Sequence, residues 1–156
     1  MAMTDEQNKV LDHLEAQCAK REYCTADVRQ KALKALAFDS DAAEEVVAKL
    51  VEERFVDDSR YAAAFAREKA ALNGWAPVKS RFALSSKGIT GKVANSALEE
   101  IDEGAAEKRL RELLSAKIKS LGDDPQWKIK TLKHLLSRGY NYDEISRAIA
   151  SLKESE

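Results

Sequence analysis

The chain has 156 residues, enough for one domain or a small array of repeated units, and long enough to bury roughly 70% of its unfolded surface without a disulfide or metal staple. Leu, Ile, Val and Phe together number 34, just above the level at which disorder becomes the better expectation; 25 Ala, 6 Gly and 2 Pro leave helix as the favoured regular structure. A net charge of −1 argues against a strongly basic, free-standing DNA binder, because each phosphate contact needs a cation.

No apolar run approaches the ~20 residues a membrane span requires. Met1 to Asn8 is polar and acidic, unlike a secretory signal. Cys18 and Cys24, with no CxxC pattern, point to a reducing compartment, and the cytosol is expected. The charge is unevenly spread. Residues 1–60 carry 9 Lys/Arg against 14 Asp/Glu, whereas residues 61–156 carry 17 against 13. Arg67–Lys92 holds six cations and one anion, and Lys108–Arg138 holds nine against three, so a near-neutral total does not exclude a polyanionic partner.

The apolar period is helical throughout and predicts nine helices. The first covers 5–21 (Val10, Leu11, Leu14, Cys18) and the second 25–36 (Val28, Ala32, Leu33, Leu36). The third covers 41–54, with Val46, Val47, Leu50 and Val51 on one face. The fourth opens after Asp57-Asp58 and ends near Leu72, with Tyr61 and Phe65 one turn apart. The fifth starts at Pro77, where a missing N–H is harmless, and holds Val78, Phe82 and Leu84 before Lys87-Gly88. The sixth follows Thr90 with Val93, Ala94, Ala97, Leu98 and Ile101. The seventh covers 105–121 (Leu110, Leu113, Leu114, Ile118, Leu121), and the eighth starts at Pro125, N-capped by Asp124, with Ile129, Leu132 and Leu136. In the ninth, Asn141 and Glu144 form a capping-box pattern ahead of Ile145, Ile149 and Leu152. Gly74, Gly88, Gly122 and Gly139 stand where left-handed C-terminal caps belong.

Displacing the sequence by 51 residues lays Ser86-Lys87-Gly88-Ile89-Thr90 over Ser137-Arg138-Gly139-Tyr140-Asn141, and Ala94, Ala97 and Leu98 over Ile145, Ala148 and Ile149. Each copy reads helix, cationic last turn, glycine, apolar residue, N-cap, helix. The cation faces the negative end of the helix dipole. A third copy at Leu33–Ser40 is weaker, having no glycine. The fold expected is all-α: three tandem three-helix repeats over 5–56, 57–102 and 103–154 forming an elongated, curved array.

Four stretches then stand out together: Ala19-Lys20-Arg21-Glu22-Tyr23; Asp57-Asp58-Ser59-Arg60-Tyr61-Ala62 with Phe65; Lys87-Gly88-Ile89; and Leu135-Leu136-Ser137-Arg138-Gly139-Tyr140. In order and spacing the set resembles the RecX family, bacterial regulators of the RecA recombinase, over nearly the whole chain. The resemblance implies a curved stack of three-helix repeats that lies in the groove of the RecA–DNA filament. It also implies that the protein curbs RecA's ATPase, strand exchange and coprotease activities, within recombination, DNA repair and the SOS response. The chain departs from the family pattern at Cys24, where the family has Ser and where Thr25 could cap the second helix instead. It departs also at Arg54, where the family has Gly, and at Ala76 and Ser80, where it favours Gly and an aliphatic residue.

Catalytic chemistry is scarce, and the chain reads as non-enzymatic. His13 and His134 lie in different helices without ligand-spaced neighbours, so no metal site is expected. Phosphate-loop, dinucleotide and nucleophile-elbow patterns are absent, and no cofactor is expected. The acidic pairs Glu44-Glu45, Glu52-Glu53, Glu99-Glu100 and Asp123-Asp124 are sequence neighbours that point apart on a helix. Tyr61 and Phe65 read as core; Trp75 and Trp127 sit at helix openings, as interface anchors or as packing over a turn.

The cations remain. Lys108, Arg111, Ser115 and Lys119 form one stripe opposite Leu110, Leu113, Leu114 and Ile118; Lys130, Lys133 and Ser137 form another opposite Ile129, Leu132 and Leu136. With Lys79, Arg81 and Lys87, the basic residues Lys108, Arg111, Lys119, Lys130 and Lys133 are the candidate surface for a protein partner or DNA. The RecA filament is the partner the resemblance implies, with at most weak intrinsic DNA affinity. A direct DNA-binding helical module and a scaffold for another protein are the alternatives. Nothing in the sequence demands more than a monomer.

Overall fold

The structure, a computed structural model, describes residues 2–101 and 103–154, and all regular structure among them is helical. In chain order the helices are α1 (Asp5–Lys20), α2 (Thr25–Ala35), α3 (Ser40–Glu52), α4 (Asp58–Asn73), α5 (Pro77–Ser86), α6 (Gly91–Glu99), α7 (Glu103–Leu121), α8 (Trp127–Ser137) and α9 (Tyr142–Glu154). No helix is long and apolar enough to cross a membrane among the described residues. The chain forms two compact units, Met1–Ala64 with Leu84–Ala94 and Phe65–Ala83 with Asn95–Glu156. The dividing lines fall inside α4, α5 and α6. Of the expected repeat boundaries, Asp102 lies outside the described residues.

In the first unit, α1, α2 and α3 close over Leu11, Leu14, Val28, Ala32, Val46, Val47 and Leu50, with Val56 beneath them. Burying this many branched side chains at ~1.5–3 kcal/mol each holds helices too short to persist alone. Thr4 and Gln7 form a reciprocal capping box: Gln7 N donates to Thr4 Oγ1 at 3.1 Å and Thr4 N to Gln7 Oε1 at 2.8 Å. The Gln7 amide then donates to the Ala42 carbonyl and to Glu45, so a buried polar residue ties α1 to α3. Glu22 and Asp57-Asp58-Ser59-Arg60, residues that carry the family resemblance, knot the corners of this unit. Arg60 pairs with Glu22 at 2.7 Å and donates to the carbonyls of Arg54 and Phe55, while Asp58 accepts from Thr25 N at 2.7 Å.

In the second unit, α7, α8 and α9 pack around Leu110, Leu114, Leu135, Tyr140 and Ile145, with Ala76 set among them. Ala76 N donates to the Arg138 carbonyl at 2.8 Å, which docks the start of α5 on the α8–α9 corner.

The 51-residue repeat is present down to individual hydrogen bonds. Ile89 N donates to Leu84 O at 3.0 Å and Tyr140 N to Leu135 O at 3.3 Å, each the six-residue closure of a Schellman turn around a glycine at φ +76 or +96. The weak third copy has the same closure: Phe38 N donates to Leu33 O at 2.7 Å, with Ala37 at φ 54 in the glycine's place. Leu84 and Leu135 are fully buried and Ile89 and Tyr140 nearly so, but Phe38, the equivalent of Ile89 and Tyr140, is 71% exposed. Arg54, also left-handed at φ 61, caps α3 as the family comparison at that position implies.

Several expectations need correction. The fifth helix does not bury Val78 and Phe82, which are 65% and 80% exposed; its inward side is Ser80 and Leu84, one turn apart and both fully buried. On α8 the inward pair is Thr131 and Leu135, while Ile129 and Leu136 are largely exposed, as is Val51 on α3. On α5 and α8 a small polar residue, Ser80 or Thr131, is the one enclosed, and hydrophobicity alone cannot show that. Helix α8 opens at Trp127 rather than Pro125, because Asp124 accepts from Gln126 N at 2.8 Å and so caps a preceding turn. Cys24 itself, not Thr25, is the N-cap of α2, and its N–H donates to Asp27 at 3.3 Å.

Candidate binding surfaces

The eight basic residues singled out from the sequence fall into three groups. Lys108, Arg111 and Lys119 are exposed along α7, together with Ser115, on the side opposite buried Leu110 and Leu114. This stripe is as the periodicity describes it, because a 19-residue helix with one wet face keeps a regular register. On α8, Lys133 is exposed in the same way.

The second group is engaged within its own unit. The Lys79 ammonium donates to the Ser137 carbonyl and lies 4.5 Å from the Trp75 ring centroid. Arg81 donates to Asn95 Oδ1 at 2.6 Å, and Lys130 pairs with Asp124 at 2.5 Å. Trp75 is therefore a packing residue over a turn, edge-on to Phe65 with ring centroids 6.1 Å apart. Arg111 also borders a groove of about 550 Å³ in the second unit. Pro77, Val78 and Leu110 supply its apolar lining, and Glu107, Glu144 and Arg147 leave it with no net charge.

Lys87 stands apart. Its ammonium meets Asp27 Oδ1 at 2.6 Å inside the first unit, beside a pocket of about 310 Å³ lined by Arg21, Tyr23, Gln30, Lys31, Lys34 and Tyr61. Burial pushes the Asp27 carboxyl upward, but hydrogen bonds from Lys87 and Cys24 outweigh it and hold the group below its ordinary range. The hydrogen bond to Asp27 in turn raises Lys87. The Tyr23 ring carries two cations, Arg21 at 4.7 Å and Lys31 at 4.9 Å from its centroid.

Sequence reasoning passed over Arg21, Lys31 and Lys34. Averaged over residues 1–60 they vanish into a net acidic segment, although Lys31 and Lys34 at i and i+3 on α2 already share a face. Among the described residues no cluster of three or more His, Cys, Asp or Glu is placed to hold a metal.

These surfaces lie on an all-helical fold with an internal repeat, and comparison with known proteins identifies it. Residues 57–98 match the family described as RecX, second three-helix domain. The regulatory protein RecX of Chromohalobacter salexigens is 30% identical over 138 residues, 88% of each chain. That of Clostridium botulinum is 32% identical over 126 residues, 78% of this chain but 58% of its own length. The crystal structure of RecX from Lactobacillus salivarius superposes with a TM-score of 0.77 over 96% of this chain and 97% of that one, at 22% identity. The chain belongs to the RecX family of regulatory proteins.

Proposed function

We propose that the chain is a non-enzymatic cytoplasmic regulator that binds the RecA–DNA filament and inhibits RecA in recombination and repair. The observation that carries this reading is the 30% identity to a regulatory protein RecX across 88% of both chains. No catalytic residue is required. A bound regulator shifts a filament only by its different affinity for the filament's states, and a surface of packed helices supplies such contacts.

The three repeats, 5–56, 57–102 and 103–154, are the units proposed to meet successive positions on the filament. Of the basic residues, Lys108, Arg111 and Lys119 on α7 and Lys133 on α8 are the proposed contacts, being exposed. Lys79, Arg81, Lys87 and Lys130 are held within their own units and would have to give up a bond. The test adds the protein to RecA on single-stranded DNA at substoichiometric amounts. ATP hydrolysis should fall and filament lifetime shorten; no change in either overturns the proposal.

A further inference from the structure

The pocket between the α1–α2 turn, α2 and Lys87 collects four cations, Arg21, Lys31, Lys34 and Lys87, against one carboxylate. Asp27 is already committed to Lys87 at 2.6 Å. Three positive charges therefore line a cleft of about 310 Å³ whose one acidic lining residue, Asp27, is already paired with Lys87. Mutual repulsion makes this arrangement unfavourable when empty and favourable around an anion of more than one charge.

Two of the three cations are positioned in advance. Arg21 and Lys31 both rest on the Tyr23 ring, which reduces the side-chain freedom lost on binding. A guanidinium stacked on a ring keeps its N–H edge free, and that planar fork matches the oxygens of a phosphate. Gln30 and the Tyr61 side chain add neutral polar groups to the lining. The cleft exceeds the size of a bare phosphate and has room for an attached sugar or base.

We propose that this pocket binds a phosphate group borne by a nucleotide, either free or within a single strand, through Arg21, Lys31 and Lys34. A carboxylate-bearing protein segment brings one charge per unit, as a strand does, but has no sugar or base to fill the rest of the cleft. The inference goes beyond RecA regulation and uses the chain alone, so its failure and that of the regulatory reading are separable.

The experiment titrates the full chain, without RecA, with a fluorescein-labelled single-stranded dodecamer of thymidine, with ATP, and with hexaglutamate, at low ionic strength. Saturable binding of the dodecamer, weakened at least tenfold by the double substitution Arg21→Ala/Lys31→Ala and severalfold by Lys34→Ala, supports the site and assigns it to a strand. The same pattern with ATP alone assigns it to a free nucleotide. Lys9→Ala, exposed on α1 and outside the lining of this pocket, should leave the affinity unchanged. The substituted side chains lie at the surface, and far-UV circular dichroism verifies the fold of each variant. The proposal is overturned by absence of saturable binding to both phosphate probes, by affinities indifferent to Arg21 and Lys31, or by hexaglutamate binding as tightly as either.

Discussion

Lys87 and Asp27, sixty residues apart in sequence, meet at 2.6 Å in the first unit. Asp27 sits in the first turn of α2, where a carboxylate also suits the helix dipole, and Lys87 follows the last turn of α5. One ion pair thereby holds the helix opening at Cys24 and the corner at Gly88.

Its pH dependence follows from the two shifts. Asp27 titrates below its ordinary 3.8, so its contribution is present above that pH and is lost as pH falls through the depressed value. Lys87 titrates above 10.5, so its contribution is present below that pH and is lost as pH rises through the raised value. Asp27→Asn should cost about 1 kcal/mol at neutral pH, the modest figure reflecting the partial exposure of Lys87. Urea unfolding should show the difference at pH 7 and a progressively smaller one as the pH is lowered below 3.8.

Gly88 and Gly139 occupy the same place in the repeat but not the same surroundings. A Cβ on Gly88 would meet nothing within 4 Å, whereas one on Gly139 would stand 2.6 Å from Lys79 Cβ and 3.3 Å from Lys79 N. Gly88→Ala should cost about 1 kcal/mol, the strain of a left-handed alanine. Gly139→Ala should cost about 3 kcal/mol, because α5 must also shift. Thermal unfolding of the two variants should separate their midpoints by several degrees.

Ala37 presents the reverse case. It holds the glycine position of the first repeat copy at φ 54. Ala37→Gly should stabilise by about 0.5–1 kcal/mol, and Arg54→Gly at φ 61 by a similar amount, both seen as a raised denaturation midpoint.

Cys24 is buried at the start of α2, and burial pushes its thiol up to about 11. Cys18 is only half-buried, with a smaller upward push from the same cause. Iodoacetamide at pH 7.5 should label Cys18 first and leave Cys24 unmodified until the protein unfolds, as read by mass spectrometry.

The basic stripe on α7 has a direct test. Lys108→Ala/Arg111→Ala/Lys119→Ala should leave the melting temperature within about a degree, since the side chains are exposed. The same triple variant should weaken RecA inhibition at least severalfold. Undiminished inhibition would remove α7 from the contact surface.

How legible was this in the sequence? Helix bounds came within a residue or two of those observed over most of the chain, because Pro77, Asn141 with Glu144, and the capping glycines act through bonds spanning a few residues. Arg54 in a left-handed cap was legible only through the family resemblance, in which a glycine stands at that position. The faces of α5 and α8 were not. Val78, Phe82 and Ile129 looked inward by hydrophobicity, yet Ser80 and Thr131 are the residues enclosed. Nor was the pocket at Tyr23 readable, since its walls come from the α1–α2 turn, α2, α4 and the corner after α5.

Amino-acid order alone settled the all-helical class, the punctuation between helices and the 51-residue repeat, which are properties of local hydrogen bonding and backbone sterics. Tertiary structure alone decided which side of each short helix is enclosed, which cations are bound internally, and where Arg21, Lys31 and Lys34 converge. Those outcomes depend on the space and charge that distant segments bring together, and no local preference encodes them.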